Sequence, residues 1–215
     1  GLKLSLTIVS SFLFITFTGV LPQALLSIYL CGIAVIISFI LGSSLGIWAA
    51  HNDKVSAFMR PINDTMQTMP SFVILIPFVM FFGIGEFTAL LAIIAYAFVP
   101  AMRYTEHGLR NLPETVIEAA RMIGCSQTQL LWKVKIPLAM PVIMLGLNQT
   151  IMFGLAMLVI AALVGTTGLG QLIYIGLSKA DFGTGMISGV SIALIAIIFD
   201  RTTQAWRIKL EKKTQ

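Results

Sequence analysis

Residues 118–141 read EAARMIGCSQTQLLWKVKIPLAMP, a polar and amphipathic stretch that lies between two long apolar runs. In the whole chain of 215 residues, 57% of the residues are hydrophobic and 11% are charged. An ordinary soluble domain has about a quarter of its residues charged and about 45–50% apolar. The composition therefore favours a protein that lies in a bilayer over one with a soluble helical core. We expect the polar stretch to lie outside the bilayer.

Six apolar runs are candidates for membrane-spanning helices, since a helix needs about 20 apolar residues to cross the hydrocarbon core. The third and sixth runs are short by this measure, so the bilayer thins there, flanking residues extend them, or one is partly re-entrant. We interpret the first run as a span rather than a signal sequence, because no small-residue cleavage site followed by a soluble domain appears. The prediction is an all-α polytopic bundle with a transmembrane domain over residues 1–204 and a basic cytoplasmic tail over residues 205–215. The predicted spans are residues 2–20, 23–50, 70–83, 87–102, 137–164 and 186–199.

Basic residues predict the orientation, because Lys and Arg accumulate in cytoplasmic loops. With six spans and both termini inside, 13 of the 14 basic residues fall on the inner side and Lys179 falls outside. The net charge of +5 then follows from topology and the anionic inner leaflet, and it implies no nucleic-acid partner. Residues 51–69 also fall inside, and we expect them to form an interfacial helix along the headgroups.

Capping signals predict a short helix at the start of the polar region. Asn111 and Glu114 have the spacing of a capping box, with the N-cap at Asn111. Glu118 and Arg121 are spaced to pair at i, i+3 on the flank of this helix. Gly124 is suited to end it in a left-handed conformation.

A second short helix is predicted to follow at once. Ser126 and Gln129 repeat the capping-box spacing, and Pro137 is expected to close the helix. Residues 111–136 are therefore predicted to form a helix-turn-helix on the cytoplasmic side. Such a unit is either a surface-lying amphipathic element or a plug for a partner's groove, and the coincidence of caps, glycine break and proline favours a rigid docking element.

The polar stretch resembles the EAA motif of binding-protein-dependent ABC importer permeases, whose pattern is EAA, G, then I-x-L-P. Two of the matching positions carry conservative replacements of the family's Ile and Leu, and the spacing is kept over 20 residues. In that family the motif forms coupling helices that sit in a groove of the ATP-hydrolysing subunit. The resemblance implies that five residues couple this chain to an ATPase: Glu118, Ala119, Ala120, Gly124 and Pro137. The two replacements are Val134 and Ile136.

Further segments over residues 40–204 are similar to the glycine betaine, choline and proline permease subfamily. The resemblance implies an ABC type I importer permease fold in the bacterial inner membrane. It implies an importer of glycine betaine, choline, proline betaine or trimethylamine N-oxide. The implied partners are an ATP-binding subunit that holds ATP and Mg, an extracytoplasmic substrate-binding protein and a second permease copy. The segments are QTMPSF at 67–72, IP at 76–77, FGIG at 82–85, NQTIM at 148–152, GLG at 168–170 and DR at 200–201.

The membrane path is less clearly marked. No acidic or basic residue lies deep in a predicted span, which disfavours a proton relay or an ion-coupled carrier. Aromatic faces and weak dipoles suit a quaternary ammonium solute. The candidate path residues are Asn148, Gln149 and Met152 on the fifth span, with Thr166 and Thr167 at its outer end, where the subfamily has smaller residues. For Asn148 and Gln149, an interhelical hydrogen bond that holds the bundle is an equal alternative.

Several other residues have structural rather than functional interpretations. Asp200 is expected to pair with Arg201 at the inner end of the last span. Cys31 and Cys125 are interpreted as packing residues, and no metal site is predicted. The glycine pairs at 42 and 46 and at 185 and 189 fit close helix packing, within one subunit or between two.

The chain carries no GxxxxGK phosphate loop, so we expect ATP hydrolysis on a partner chain and no enzymatic activity here. The alternative functions are an ion-coupled secondary carrier and a membrane-embedded enzyme. These classes call for convergent titratable residues at membrane depth or for inverted repeats, and neither is evident in the sequence.

Overall fold

The structure is a computed structural model that describes the backbone of residues 2–214 and the side chains of residues 5–209. Within residues 2–214 the elements are all helical. A π-helical turn over Leu130–Lys135 joins α7 to α8, and a 3-10 turn over Ala162–Val164 follows α8. The helices are α1 Leu2–Phe17, α2 Leu21–His51, α3 Asp53–Thr68, α4 Ser71–Phe82, α5 Glu86–Arg110, α6 Glu114–Met122, α7 Gln127–Gln129, α8 Ile136–Ala161, α9 Leu169–Ser178 and α10 Phe182–Thr214.

Three long helices, α2, α5 and α8, form the centre of the bundle, and small residues let them approach closely. A Cβ atom added to Gly42 would lie 2.5 Å from the carbonyl oxygen of Phe98, and one added to Gly46 would lie 2.6 Å from that of Met102. The first predicted glycine pair therefore packs α2 against α5 within one chain. In the second pair, Gly185 packs against α9, but a Cβ at position 189 would have no described atom within 4 Å.

The predicted number of spans is higher than helix length alone supports. Within the described residues, four helices are long and apolar enough to cross a membrane, and a bent pair, α3 with α4, brings the number to five. The first predicted span is represented by an apolar helix described over Ser5–Phe17, which is shorter than a usual span. The four long helices are Leu21–His51, Glu86–Arg110, Gln127–Val164 and Phe182–Lys209.

The short third span has a structural explanation. Its helix α4 has 12 residues, and α3 meets it at a bend of 102°. Pro70 sets this break, because the residue before a proline avoids the helical region. Met69 accordingly has extended angles, with φ −67° and ψ 136°. The sixth span is not short in the structure, since flanking residues extend it to Phe182–Thr214.

The bundle has two distinct ends. The last turns of α2 and α5 lie beside α3, α6, α7 and the beginning of α8, and we call this the α6 end. The opposite end, which we call the α9 end, carries the start of α5, the segment after α8 and the helix α9, which was not predicted from the sequence. Contacts across the chain place them together: the Thr167 hydroxyl donates to Glu86 Oε1 at 2.5 Å, and the Leu169 amide donates to Ser27 Oγ at 2.8 Å.

Candidate coupling site and membrane path

The first helix of the predicted helix-turn-helix forms, but Asn111 does not cap it. Asn111 instead ends α5: its backbone N–H donates to the His107 carbonyl oxygen at 3.1 Å, and its side-chain Nδ2 donates to the same oxygen at 2.9 Å. Helix α6 begins at Glu114, after an extended Pro113 and without a side-chain cap. The capping-box prediction is wrong because α5 runs to Arg110, well beyond its predicted end, and takes up Asn111.

Gly124 ends α6 as predicted. Its φ is +88°, its N–H donates to the Arg121 carbonyl at 2.9 Å, and the Cys125 N–H donates to the Ala120 carbonyl at 3.2 Å. These two bonds form a Schellman motif, in which a left-handed residue satisfies the last carbonyls of a helix. Within the described side chains, Glu118 and Arg121 form no ion pair, and both are exposed to solvent.

The second predicted capping box is present. The Gln129 N–H donates to Ser126 Oγ at 3.3 Å, and the Ser126 N–H donates to Gln129 Oε1 at 3.0 Å. The predicted stop at Pro137 is wrong, since the helix continues through the π-helical turn into α8. Proline removes one helical hydrogen bond and crowds the carbonyl four residues earlier. The wider π turn directly before Pro137 accommodates that crowding, so α7 and the membrane helix α8 are one continuous rod.

Helices α6 and α7 form a unit over residues 114–129, which we call the α6–α7 unit. Two apolar side chains that were not assigned to coupling from the sequence lie at its tip. Met122 is 90% exposed and Ile123 is 84% exposed. Among the residues assigned to coupling, Ala119 is exposed but Ala120 is buried inside the chain. The residues assigned to coupling are therefore divided between exposed and buried positions, and Met122 and Ile123 are the most exposed large apolar side chains of α6 and its turn. The sequence did contain a signal for this surface: Met122 and Ile123 are two apolar residues directly before the glycine that ends the helix, within a polar stretch.

The base of the α6–α7 unit packs onto the bundle through a small apolar cluster. Leu109, Ala139 and Ile143 are buried at its centre and join α5 to α8. Residues of α2 pack against the same centre, so the cluster joins all three long helices beside the segments that flank α6 and α7. The partly buried residues packed against the centre are Phe39, Ile47, Ala50, Leu112, Leu131 and Ile136.

Asn148 links α8 to α10. Its Nδ2 donates to Asp200 Oδ1 at 2.9 Å, and its Oδ1 accepts from the Thr203 hydroxyl at 2.6 Å. The Gln204 amide donates to both carboxylate oxygens, at 2.8 and 2.7 Å. The interhelical interpretation of Asn148 is thus correct. The predicted pair between Asp200 and Arg201 is not formed within the described side chains, because adjacent helical residues point about 100° apart.

The other predicted path residues lie in separate places. Gln149 and Met152 are partly buried, and the neighbouring Phe153 stacks on Tyr96 of α5 with ring centroids 5.0 Å apart. At the α9 end, Thr166 is buried to 1% exposure, whereas the exposed Thr167 is bonded to Glu86 as described above. The five candidates therefore do not converge on one site.

A bundle of membrane-length helices, with one helix continued into a polar helix-turn-helix unit outside its apolar part, defines a polytopic membrane protein. Residues 42–207 match the model of the binding-protein-dependent transport system inner membrane component family. The chain belongs to this family, in agreement with the resemblance of its EAA stretch.

Similar curated proteins are permease proteins of osmolyte transport systems. The chain is 40% identical, over 95% of its length, to the glycine betaine/proline betaine permease ProW of Escherichia coli (strain K12), and it spans 58% of that relative. It is 42% identical to the trimethylamine N-oxide permease TmoV of Pelagibacter ubique (strain HTCC1062), over 99% of this chain and 30% of the relative. It is 39% identical to the glycine betaine permease OpuAB of Bacillus subtilis (strain 168), over 95% of this chain and 72% of that protein.

Solved structures establish the fold. A chain of the MetNI methionine ABC transporter in an inward-facing conformation superposes with a TM-score of 0.77 at 18% identity, covering 89% of this chain and 95% of that one. A chain of an amino acid ABC transporter superposes with a TM-score of 0.74 at 17% identity, covering 91% and 98%. The predicted all-α permease fold of ABC importers is confirmed.

Proposed function

We propose that this chain is the permease subunit of an ATP-driven importer of a quaternary ammonium or related osmolyte. The observation that carries the proposal is the pair Met122 and Ile123, which are nearly fully exposed at the tip of the α6–α7 unit. Large apolar side chains left in water are typical of surfaces that a partner covers. An ATP-binding subunit with a groove for α6 is the partner that membership of this family implies.

The coupling mechanism follows from continuity of the backbone. Closure of a dimer of ATP-binding subunits moves α6 as a rigid body, and the π turn passes this movement to α8. The apolar cluster around Leu109 and Ile143 carries it to α5 and α2. The bundle then rocks between inward-open and outward-open states, which is a rigid-body transition between two packed arrangements. ATP and Mg belong to the partner, and this chain contributes the lever.

The substrate class is inferred from the relatives, whose names specify glycine betaine, proline betaine and trimethylamine N-oxide. Each of these solutes carries a positively charged, alkylated nitrogen that cannot donate a hydrogen bond. Such a group is attracted to aromatic faces. Phe153, which stacks on Tyr96, follows Met152 in the chain and lies one helical turn from Gln149. We propose this face of α8 as part of the path, with most of the selection residing in an extracytoplasmic binding protein.

The assembly and orientation are part of the same proposal. Two copies of the chain form the pore, because one α6–α7 unit matches one ATP-binding subunit and the transporter needs two. The α6 end faces the cytoplasm of a bacterial cell, and both termini lie on that side of the inner membrane.

The second candidate function is an ion-coupled carrier. The observation that favours it is Asp200, since a partly buried carboxylate within a membrane helix is typical of proton relays.

Copurification tests the docking surface. We expect the double variant Met122→Glu, Ile123→Glu to lose the ATP-binding subunit, because two carboxylates in an apolar groove are costly to desolvate. The control is Thr115→Glu, which adds a carboxylate on the exposed first turn of the same helix and should retain the subunit. Retention of the subunit by the double variant would contradict the proposal.

Uptake into proteoliposomes distinguishes an ATP-driven importer from an ion-coupled carrier. With ATP supplied to the nucleotide side and a binding protein present, radiolabelled glycine betaine should accumulate even when an ionophore removes every ion gradient. A carrier would show the opposite dependence, with uptake lost to the ionophore and independent of ATP. The comparison of glycine betaine, choline and trimethylamine N-oxide in this assay defines the substrate.

A further inference from the structure

Helix α3 turns its polar side towards the protein and its apolar side away from it. Its two buried residues are both polar, Ser56 and Asn63. Its apolar side chains follow helical spacing on the other side, and among them Phe58 is 69% exposed and Ile62 is 36% exposed. This is the reverse of a helix on a soluble protein, and it is the pattern of a helix that lies in the interface of a bilayer.

The contacts of α3 with α5 leave it with uncompensated positive charge. Formally the helix is neutral, with Asp53 and Asp64 against Lys54 and Arg60. Asp53 is paired with Arg110 of α5 at 2.8 Å, and Asp64 is paired with Arg103 of the same helix. Within the described side chains, neither Lys54 nor Arg60 forms an ion pair. Arg60 lines a polar pocket shared with α5, whereas Lys54 lines an apolar groove, so Lys54 is the cation that α3 offers to a ligand there.

Lys54 stands at the rim of an apolar groove between the last turns of α2 and the start of α3. The groove has a volume of about 290 Å³. Trp48, which also lines the groove, is 58% exposed, and tryptophan is enriched at the level at which a helix leaves the hydrocarbon. The remaining lining side chains are Leu45, Val55, Phe58 and Met59.

We propose that this groove, which we call the elbow groove, is a binding site for one anionic glycerophospholipid. An acyl chain lies along Leu45, Val55 and Met59, the phosphate meets the Lys54 ammonium, and Trp48 lies at the level of the glycerol. Charge complementarity favours a lipid over a second protein copy, because the groove is apolar below and cationic at its rim. The inference rests on the proposed membrane orientation only in assigning the lipid to the inner leaflet.

Quenching of Trp48 fluorescence by brominated lipid tests the site without requiring transport. The background is Trp132→Phe, Trp206→Phe, which leaves Trp48 as the chain's single tryptophan. In the assembled transporter in nanodiscs, a small fraction of dibrominated phosphatidylglycerol in phosphatidylcholine should quench Trp48 more than the same fraction of dibrominated phosphatidylcholine. The Lys54→Gln variant should need about fivefold more phosphatidylglycerol for half-maximal quenching, the factor for one basic residue at an anionic surface. Lys179→Gln, at the α9 end, is the matched control and should behave as the unaltered chain.

Two results would overturn the proposal. Absence of quenching by either lipid would mean that protein covers the groove, either a second copy or the ATP-binding subunit. Equal quenching by both lipids, unchanged in Lys54→Gln, would mean that the groove meets bulk lipid and selects nothing. Neither result bears on the proposed function, which is judged by copurification and uptake.

Discussion

At the scale of single residues, Gly124 shows how one backbone conformation shapes the tip between α6 and α7. A Cβ at this position would have no described atom within 4 Å, so a substitution meets no clash within the chain. The constraint comes from its φ of +88°, which costs other L-residues about 1–2 kcal/mol. Met122 and Ile123 keep their outward positions because the chain turns back at this glycine.

We expect Gly124→Val to reduce solute imported per ATP hydrolysed several-fold, because the altered turn displaces the tip from its groove. Gly124→Asn should lose much less, since asparagine tolerates the left-handed region. The measurement is uptake and ATP hydrolysis on the same proteoliposomes, with hydrolysis expected to persist. Normal coupling in the valine variant would show that the left-handed turn is not needed.

At Gly46 we expect a substitution to act in a different way, because lack of space for a side chain, rather than backbone conformation, requires the glycine. Gly46→Ala places a Cβ 2.6 Å from the Met102 carbonyl oxygen and should force α2 away from α5, at a cost of about 1–3 kcal/mol. Gly32→Ala is the control in the same helix, where the added methyl meets no described atom within 4 Å. Thermal unfolding in detergent should show a lower midpoint for the first variant alone.

Local signals in the sequence predicted single residues well where a few neighbours decide the structure. The box at Ser126 and Gln129 and the turn at Gly124 both form because their partners lie within five residues. The predicted capping box at Asn111 is absent because packing extends α5 to Arg110, and Asn111 then caps the end of α5. The predicted pair of Asp200 with Arg201 failed as well, because the carboxylate instead accepts from Gln204, one helical turn away, and from Asn148, 52 residues away.

At the scale of elements, the cross-link between α8 and α10 gives a measurable coupling. Asp200→Ala leaves the amide groups of Asn148 and Gln204 without their acceptor, and we expect a loss of about 1–3 kcal/mol in unfolding free energy. The double variant with Asn148→Ala should cost less than the sum of the two single variants. Arg201→Ala, which removes a side chain outside this network, should change stability by less than about 0.5 kcal/mol. Additive effects of Asp200→Ala and Asn148→Ala would show that the bond contributes nothing.

The ends of the membrane helices were predicted best where the apolar run in the sequence is long and uninterrupted. The second and fifth predicted spans, 23–50 and 137–164, correspond closely to the helices α2, Leu21–His51, and α8, Ile136–Ala161. The fourth and sixth were cut short because polar residues such as Glu106 and Asp200 are satisfied by partners on other helices, which hydropathy does not register. The short helix α9 was missed, since its apolar residues sit between glycine-rich segments. The candidate path was the least predictable part, because Asn148 bonds to α10 and Thr167 bonds to the start of α5, and such long-range contacts cannot be inferred from spacing along the chain.

At the scale of the whole molecule, two reporters test the orientation of the bundle. Cys125 stands at the α6 end, and Lys179 stands at the α9 end; Cys31 is buried at 4% exposure and serves as an internal blank. In intact spheroplasts, a membrane-impermeant maleimide should label Lys179→Cys and leave Cys125 unlabelled. Inverted vesicles should give the reverse pattern. Labelling of Cys125 from outside would overturn the proposed topology.

The π-helical turn over Leu130–Lys135 fixes the direction in which the tip of the α6–α7 unit points about the axis of α8. An α-helix advances about 100° per residue, and a π turn holds one residue more than the α-helical turn it replaces. Deleting a residue there would restore ordinary pitch and swing Met122 and Ile123 by roughly a quarter of a circle. If the chain works as proposed, the loss of one codon would therefore present Met122 and Ile123 to a differently shaped partner surface, with every membrane helix left in place.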